Sequence, residues 1–183
     1  MKAAVYHENG PPEVLRYEDV PDPQCHPKGI LIKVEAIAIE GGDTLNRFGG
    51  PLMTHPHVVG YQAAGTVIEV GSEVSTFKVG DRVCTTGGWG SHAELRAVSA
   101  KTAWKVPEGL STREAAVIPV TFGTADDCLF EFGRLKAGEI ALIQAGASGV
   151  GVAAIQLAAK AGAKMSSPPP RPMSGWRSCG PSG

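Results

Sequence analysis

The sequence predicts an α+β/α/β chain, in which a closed or nearly closed β-barrel precedes the first βα unit of a parallel sheet. The barrel is predicted because short alternating segments, separated by Gly and Pro turns, fill the first 105 residues. The βα unit is predicted because the pattern after residue 110 changes to helix, apolar strand, glycine loop and helix. The 24 glycines and 14 prolines favour short strands and turns over long helices.

The barrel region contains a series of segments with strand patterns. Gly29–Ile39 is the clearest, because apolar and polar residues alternate along it as they do in a half-buried strand. The others lie at residues 1–6, 11–23, 63–71, 79–86 and 90–107. This regular spacing is what predicts a barrel rather than a helical domain.

Helices are predicted to follow the barrel. Ser111 and Glu114 have the spacing of a capping box, so a helix should begin at Ser111. A second helix should run from about Thr124 to about Lys136. Ile140–Gln144 is a continuous apolar run, which is typical of a strand covered on both faces.

A glycine-rich loop lies between that strand and an Ala-rich helix. Its residues are Gly146, Ala147, Ser148, Gly149, Val150 and Gly151. Such a loop lets backbone N–H groups at a helix N-terminus bind the pyrophosphate of a dinucleotide. Ser148 should be the N-cap, and Gly151 should let the helix pack closely on the strand. The alternative is an ordinary tight βα turn that needs glycine for its dihedral angles.

Several segments occur together in the order of one family. The chain resembles the zinc-free quinone oxidoreductases, the zeta-crystallin-like branch of the medium-chain dehydrogenase/reductases, over residues 1–164. The segments that carry the resemblance are residues 60–71, 70–83, 104–125, 133–151 and 153–164. The resemblance implies a GroES-like catalytic domain over residues 1–122 and an incomplete Rossmann domain over residues 123–164. Because family members are about twice as long, it also implies that the chain is C-terminally truncated.

The resemblance also explains why no zinc site is expected. Zinc-dependent relatives have a Gly-His-Glu motif and a cysteine ligand, and the matching positions here are Gly60-Tyr61-Gln62 and Glu40. Tyrosine and glutamine do not suit zinc as thiolate and imidazole do. His55 and His57 lack a closed ligand set, so they are interpreted as loop residues at the rim of the cleft.

The resemblance implies candidate cleft residues. Asp43, Arg47 and Gly49 agree with a family segment that lines the nicotinamide pocket, whereas Glu40 and Leu45 replace its Asn and Tyr. Asp43 and Arg47 could instead be a helix cap and a surface ion pair. Thr124 matches a family threonine near the nicotinamide, and its alternative role is the N-cap of the next helix.

Composition restricts the classes of partner. The net charge of −1 gives no attraction to nucleic acid or to an anionic membrane. The apolar runs are shorter than the roughly 18 residues of a membrane span. Cys25, Cys84, Cys128 and Cys179 form no CxxC pair and there is no secretory signal, so unpaired thiols and a cytoplasmic location are expected.

The last residues, 165–183, do not continue the pattern. They are rich in Pro and Ser, which predicts disorder, with a PxxP peptide as an alternative. Translating the tail codons one frame over permits an apolar strand, a polar turn and an amphipathic helix. We therefore also hypothesise a change of reading frame after Lys164.

The predicted function is reduction of quinones or related carbonyl and enone compounds by hydride transfer from NADPH, without zinc, with activity impaired in this shorter chain. NAD is not excluded as the cofactor, and a homo-oligomer remains open. The alternatives are a catalytically inactive or binding-only GroES-like module and, more distantly, a zinc alcohol dehydrogenase.

Overall fold

The computed structural model describes the backbone of residues 1–166 and the side chains of residues 1–164. Two compact units form, one spanning Met1–Thr124 and the other beginning at Ala125. The predicted disorder, the PxxP peptide, Cys179 and most of the predicted change of reading frame lie outside the described residues. None of the helices within residues 1–166 combines the length and the apolar character that crossing a bilayer requires.

The first unit is built from two antiparallel sheets. A five-stranded sheet has the order β7-β3-β5-β6-β8, and a three-stranded sheet has the order β2-β1-β4. The strands are β1 Lys2–Tyr6, β2 Arg16–Asp19, β3 Gly29–Ala38, β4 His57–Val58, β5 Gln62–Val70, β6 Arg82–Thr86, β7 Leu95–Ser99 and β8 Ala103–Lys105. A bridge between Ala3 and Ala93 links the first strand to the loop before β7. The predicted β-domain is confirmed, although its strands form two sheets and not one closed sheet.

The core of this unit lies on the inner faces of the long strands. Ile30 and Ile32 of β3 pack with Val67 of β5 and Val83 of β6, and all four side chains are buried. Successive strand residues point to opposite faces, so the alternation in β3 places Ile30, Ile32 and Val34 on the inner face, whereas Ile37 and Ile39 are exposed. Two irregularities in the β3–β5 register bend these long strands.

The helices of this unit follow the predictions only in part. α1 is Gly41–Gly49, α2 is Thr112–Ala115 and α3 is Ile118–Asp126. The capping box is confirmed, because Ser111 Oγ accepts a hydrogen bond from Glu114 N at 3.2 Å and Glu114 Oε2 accepts one from Ser111 N at 2.9 Å.

The prediction of a helix from about Thr124 to Lys136 was wrong at both ends. α3 begins six residues earlier, since Pro119 is compatible with a first helical turn. A π-helical turn, Asp127–Phe132, then continues it. Arg134 adopts a left-handed φ of 51° and Leu135 N donates to Leu129 O, which is a common way for a helix to end.

The second unit contains a βαβ arrangement. β9 is Ile140–Leu142, α4 is Gly149–Lys160 and β10 is Lys164–Ser166, and the two strands pair in parallel. The sequence indicated no second strand, because three residues are too few to show a pattern. Ile140 and Leu142 are 71% and 60% exposed beside a buried Ala141, so the prediction of a strand covered on both faces was wrong.

Candidate functional site

The start of α1 carries the predicted carboxylates. Glu40 is the N-cap residue, and its backbone N–H donates to Asp43 Oδ2 at 2.8 Å. The Asp43 side chain is 5% exposed. Of the two roles left open by the sequence, the structure confirms that Asp43 caps this helix. A role in the nicotinamide pocket stays a prediction.

Gln62 joins this helix start to the start of α3. Its side chain is fully buried. The amide nitrogen donates a close hydrogen bond to Glu40 Oε1, and the amide oxygen accepts one from Val120 N at 2.9 Å. Gln62 therefore satisfies a carboxylate and the free N–H of a first helical turn with one side chain.

The neighbouring Tyr61 packs against the same helix. A Cβ built on Gly42 would lie 2.3 Å from Tyr61 Cε2, so the ring fits only because residue 42 is glycine. Within residues 1–164, no group of three His, Cys, Asp or Glu side chains is close enough to hold a metal ion. Of the positions matched to zinc ligands, Tyr61 is engaged in packing, and Glu40 and Gln62 are engaged in a hydrogen bond with each other.

Arg47 lies on α1 and contacts the backbone of the loop that follows β1. Its Nε donates to Gly10 O at 3.2 Å, and Gly10 N donates to Arg47 O at 2.9 Å. Among the described residues no carboxylate lies within ion-pair distance of Arg47, so the interpretation as a surface ion pair was wrong. The guanidinium instead holds the loop that follows β1, because the loop carbonyl points at it.

His57, the first residue of β4, is one of the two histidines that were interpreted as loop residues at the rim of the cleft. His57 is fully buried and its ring centroid lies 4.9 Å from that of Tyr6. His57 Nδ1 accepts a hydrogen bond from Met53 N at 3.0 Å. Burial, and secondarily His55, lowers the pKa of His57. The interpretation of His57 as a residue at a cleft rim was therefore wrong, because it belongs to the packed interior.

A buried cation, Arg96, was not found by sequence reasoning. Its guanidinium donates to Tyr61 O at 2.9 Å, to Trp89 O at 3.0 Å and to Thr85 Oγ1 at 3.0 Å. Burial lowers the pKa of Arg96 to about 10, although Asp43 opposes this. A lone arginine in a strand pattern gives no sequence signal that it will be buried.

The glycine loop connects β9 with α4. Ala145 adopts a φ of 51°, and Ser148 N donates to Ala145 O at 2.8 Å. Ser148 Oγ accepts a hydrogen bond from Gly151 N at 3.1 Å, which confirms Ser148 as the N-cap. A Cβ on Gly151 would lie 2.3 Å from Ala145 O, so the close approach predicted for this glycine is to the loop backbone.

The loop leaves backbone donors free. Within the described residues, no acceptor lies within hydrogen-bond distance of the N–H groups of Gly146, Ala147, Gly149 and Val150. Ala147, Ser148 and Gly149 are exposed. This arrangement can bind an anion, because free N–H groups lie at the N-terminus of α4, where the helix dipole has its positive end.

Thr124 is the seventh of the nine residues of α3, and the π-helical turn Asp127–Phe132 follows that helix, so Thr124 is well inside helical structure. The interpretation as an N-cap was therefore wrong, because α3 has already begun at Ile118. Its side chain is exposed. A role beside a nicotinamide stays a prediction.

Known proteins share these features. Residues 26–108 match the alcohol dehydrogenase GroES-like domain family. The chain is 36% identical over 173 residues to the quinone oxidoreductase of Mus musculus, which covers 90% of this chain and 51% of that protein. The chain spans about half the length of the curated relatives it matches.

Solved structures agree with this comparison. The quinone oxidoreductase of Pseudomonas syringae pv. Tomato DC3000 superposes with a TM-score of 0.85 at 34% identity, over 91% of this chain and 52% of that one. The Escherichia coli quinone oxidoreductase complexed with NADPH superposes with a TM-score of 0.85 at 31% identity, over 91% and 52%.

A GroES-like β-domain followed by a strand, a glycine loop, a helix and a parallel strand defines the class of medium-chain dehydrogenase/reductases. Residues 26–108 match the GroES-like domain of this class, and over about nine-tenths of its length the chain is similar to quinone oxidoreductases.

Proposed function

We propose that this chain provides the catalytic domain and the phosphate-binding unit of an NADPH-dependent oxidoreductase that reduces quinones or related carbonyl and enone compounds without zinc. The proposal includes the division into residues 1–122, residues 123–164 and the tail, 165–183. It also places the protein in the cytoplasm, since the cysteine spacing favours unpaired thiols.

The open N-terminus of α4 is the observation that carries this proposal. Among the described residues, the N–H groups of Gly146, Ala147, Gly149 and Val150 make no hydrogen bond, and the loop residues 147–149 are exposed. Such a terminus suits the pyrophosphate of a dinucleotide. Bound NADPH would supply the hydride. The cofactor residues in the proposal are Thr124, Gly146, Ala147, Ser148, Gly149, Val150 and Gly151.

The surface of α1 supports an apolar substrate. Leu45 and Phe48 are exposed on this helix, and Ile39 is exposed directly before it. Glu40 lies between Ile39 and α1 in the chain and is itself half-buried. A quinone or enone combines an apolar ring or chain with a carbonyl, so it matches such a surface. Glu40, Asp43 and Arg47 are the proposed cleft residues, and the contacts of Asp43 and Arg47 favour holding α1 in place.

A binding-only module is the second candidate. Its support is the exposure of Ile140 and Leu142, because apolar strand faces of that kind need a covering partner. In that case the β-domain would bind a ligand or partner while the second unit performed no chemistry.

The test is calorimetric titration of the 183-residue chain with NADPH. We expect saturable binding that Ala147→Asp weakens at least about tenfold, because a carboxylate in the loop repels phosphate. Ala159→Asp is the matched control, since Ala159 is exposed near the opposite end of α4. No saturation at millimolar NADPH would contradict the proposal and favour the binding-only module. Oxidation of NADPH with 1,4-benzoquinone, measured against an enzyme-free blank, then tests the chemistry.

A further inference from the structure

A buried polar cluster lies beside the start of α1, where Gly60 meets the loop before β7. Gly60 has a φ of +111°, and a Cβ there would lie 2.1 Å from Ser91 Oγ and 2.4 Å from His92 Cδ2. The loop is held by backbone hydrogen bonds from Ser91 N to Gly60 O and from His92 N to Val59 O. The position of the His92 imidazole is therefore fixed by the backbone around it.

His92 faces the carboxylate that caps α1. His92 Nε2 lies 3.7 Å from Asp43 Oδ2, and the two side chains are 11% and 5% exposed. Asp43 Oδ1, Ser91 Oγ and His92 Nε2 are buried, and none has a hydrogen-bond partner among the described residues. Buried polar atoms normally have partners. These three unpaired atoms, one of which belongs to the Asp43 carboxylate, therefore need an explanation.

The Asp43 carboxylate connects this cluster to the starts of α1 and α3. Its Oδ2 accepts a hydrogen bond from Glu40 N. Glu40 in turn accepts one from Gln62, and Gln62 accepts one from Val120 N at the start of α3. A displacement of Asp43 would therefore reach Glu40 and Val120 through hydrogen bonds.

Burial of the His92 side chain, more than the charges of the cluster, favours an uncharged imidazole. The charged groups that act on His92 are Asp43 on α1 and Arg96 on β7. Burial lowers the pKa of His92 and Asp43 opposes this, while Arg96 adds to the lowering. With His92 neutral, the Asp43 carboxylate and the Arg96 guanidinium balance each other.

We propose that His92 is a positioning residue of the proposed site, because its imidazole lies against the Asp43 carboxylate and so restricts that carboxylate and, through it, the backbone of Glu40 and the start of α3. The role as a positioning residue depends on the proposed function. The coupling from His92 to the two helix starts does not, and it is tested without cofactor.

The first test is hydrogen exchange on the 183-residue chain and on His92→Phe. We expect the amides of Glu40 and Val120 to exchange about tenfold faster in the variant, as the loss of one buried polar contact predicts. His92→Gln should restore much of the protection, because its amide can donate to Asp43. His7→Phe is the control, since His7 is exposed and bonds only Glu18.

Unchanged exchange at Glu40 and Val120 would overturn the proposal, and so would an equal rise in both His92 variants across the whole first unit. If His92→Phe does not fold, a titration of the wild-type chain decides. The carbon-13 signal of His92 should report a midpoint below 6.5, and Asp43→Asn should lower it further. A midpoint that Asp43→Asn leaves unmoved contradicts the coupling.

NADPH binding by the same preparations separates the two proposals. If NADPH does not bind while the amides respond, the proposed function fails and the coupling stands. If NADPH binds with unchanged affinity to His92→Phe while the amides respond, the coupling stands and His92 is not a positioning residue for the cofactor. That second outcome overturns the part of the inference that concerns the site.

Discussion

The N-termini of α1 and α4 have opposite designs. At α1, the Asp43 side chain accepts a hydrogen bond from the backbone N–H of Glu40, and the Gln62 side chain donates one to the Glu40 carboxylate. At α4, Ser148 accepts a hydrogen bond from Gly151 N, and the N–H groups of Gly146, Ala147, Gly149 and Val150 make no hydrogen bond within the part of the chain that the structure describes. A helix terminus whose donors are satisfied internally contributes to stability, whereas one whose donors stay free can bind an anion.

Removing the Gln62 side chain, which connects Glu40 at the start of α1 to Val120 in α3, should have the largest effect on stability. Gln62→Leu keeps the approximate volume but leaves the Glu40 carboxylate and the Val120 N–H without this partner. We expect the free energy of unfolding to fall by about 3 kcal/mol. Urea unfolding followed by tryptophan fluorescence measures it, because Trp89 and Trp104 lie in the first unit.

Gln24→Leu is the control for that measurement, since Gln24 is exposed. It should change the free energy of unfolding by less than about 0.5 kcal/mol. A loss of the same size in both variants would mean that the bridge does not stabilise the helix starts.

A matched pair of glycine-to-alanine substitutions, one in α4 and one in α3, tests the structure of the N-terminus of α4. Gly151→Ala places a Cβ against the Ala145 carbonyl, so α4 should be destabilised by about 2 kcal/mol. Gly123→Ala, inside α3 with open space around its Cβ, should instead stabilise by about 0.7 kcal/mol. Hydrogen exchange resolves the two helices. Equal signs for the two substitutions would contradict the structure of the loop.

The cap of the open terminus should have a smaller effect. Ser148→Ala removes the acceptor for Gly151 N and should destabilise α4 by about 1 kcal/mol. Ser148→Asp should retain the cap but weaken NADPH binding, because its charge opposes phosphate. Protection of α4 amides and the NADPH dissociation constant, measured on the same samples, separate these effects. A Ser148→Asp variant that binds NADPH as the wild type does would argue against a phosphate site.

Mild acid should gradually destabilise the first unit, which contains His57 and His92. The pKa values of His57 and His92 are lowered mainly by burial, from an ordinary value of 6.5. As the pH falls below 6.5, the unfolded chain therefore binds protons before the folded chain does, and stability is lost. The urea midpoint should decline between pH 7 and pH 5.5. A double His57→Gln and His92→Gln variant should show a flatter dependence of the urea midpoint on pH. An equally steep dependence would mean that these histidines do not cause the loss of stability in acid.

Local patterns in the sequence were sufficient for much of the fold. The β3 strand, the capping box at Ser111 and the N-cap at Ser148 each depend on residues that are close in the chain. The start of α3 and the strand β10 were missed, because Pro119 is compatible with either a turn or a first helical turn and β10 is only three residues long. Arg47 was placed on the correct helix, but its partner Gly10 is 37 residues away.

The sequence by itself determined the order of the elements, the glycine loop with its cap and the family, since all of these depend on short-range spacing. Only the tertiary structure decided that Gln62 joins Glu40 to Val120, that His57 is internal and that His92 meets Asp43. Those contacts join residues far apart in the chain, and which of them form depends on how the two sheets and α1 pack. The N-termini of α4 and α1 thus differ in origin, because Ser148 and its loop are local whereas Gln62 of β5 and His92 of the loop before β7 are distant in the chain from α1.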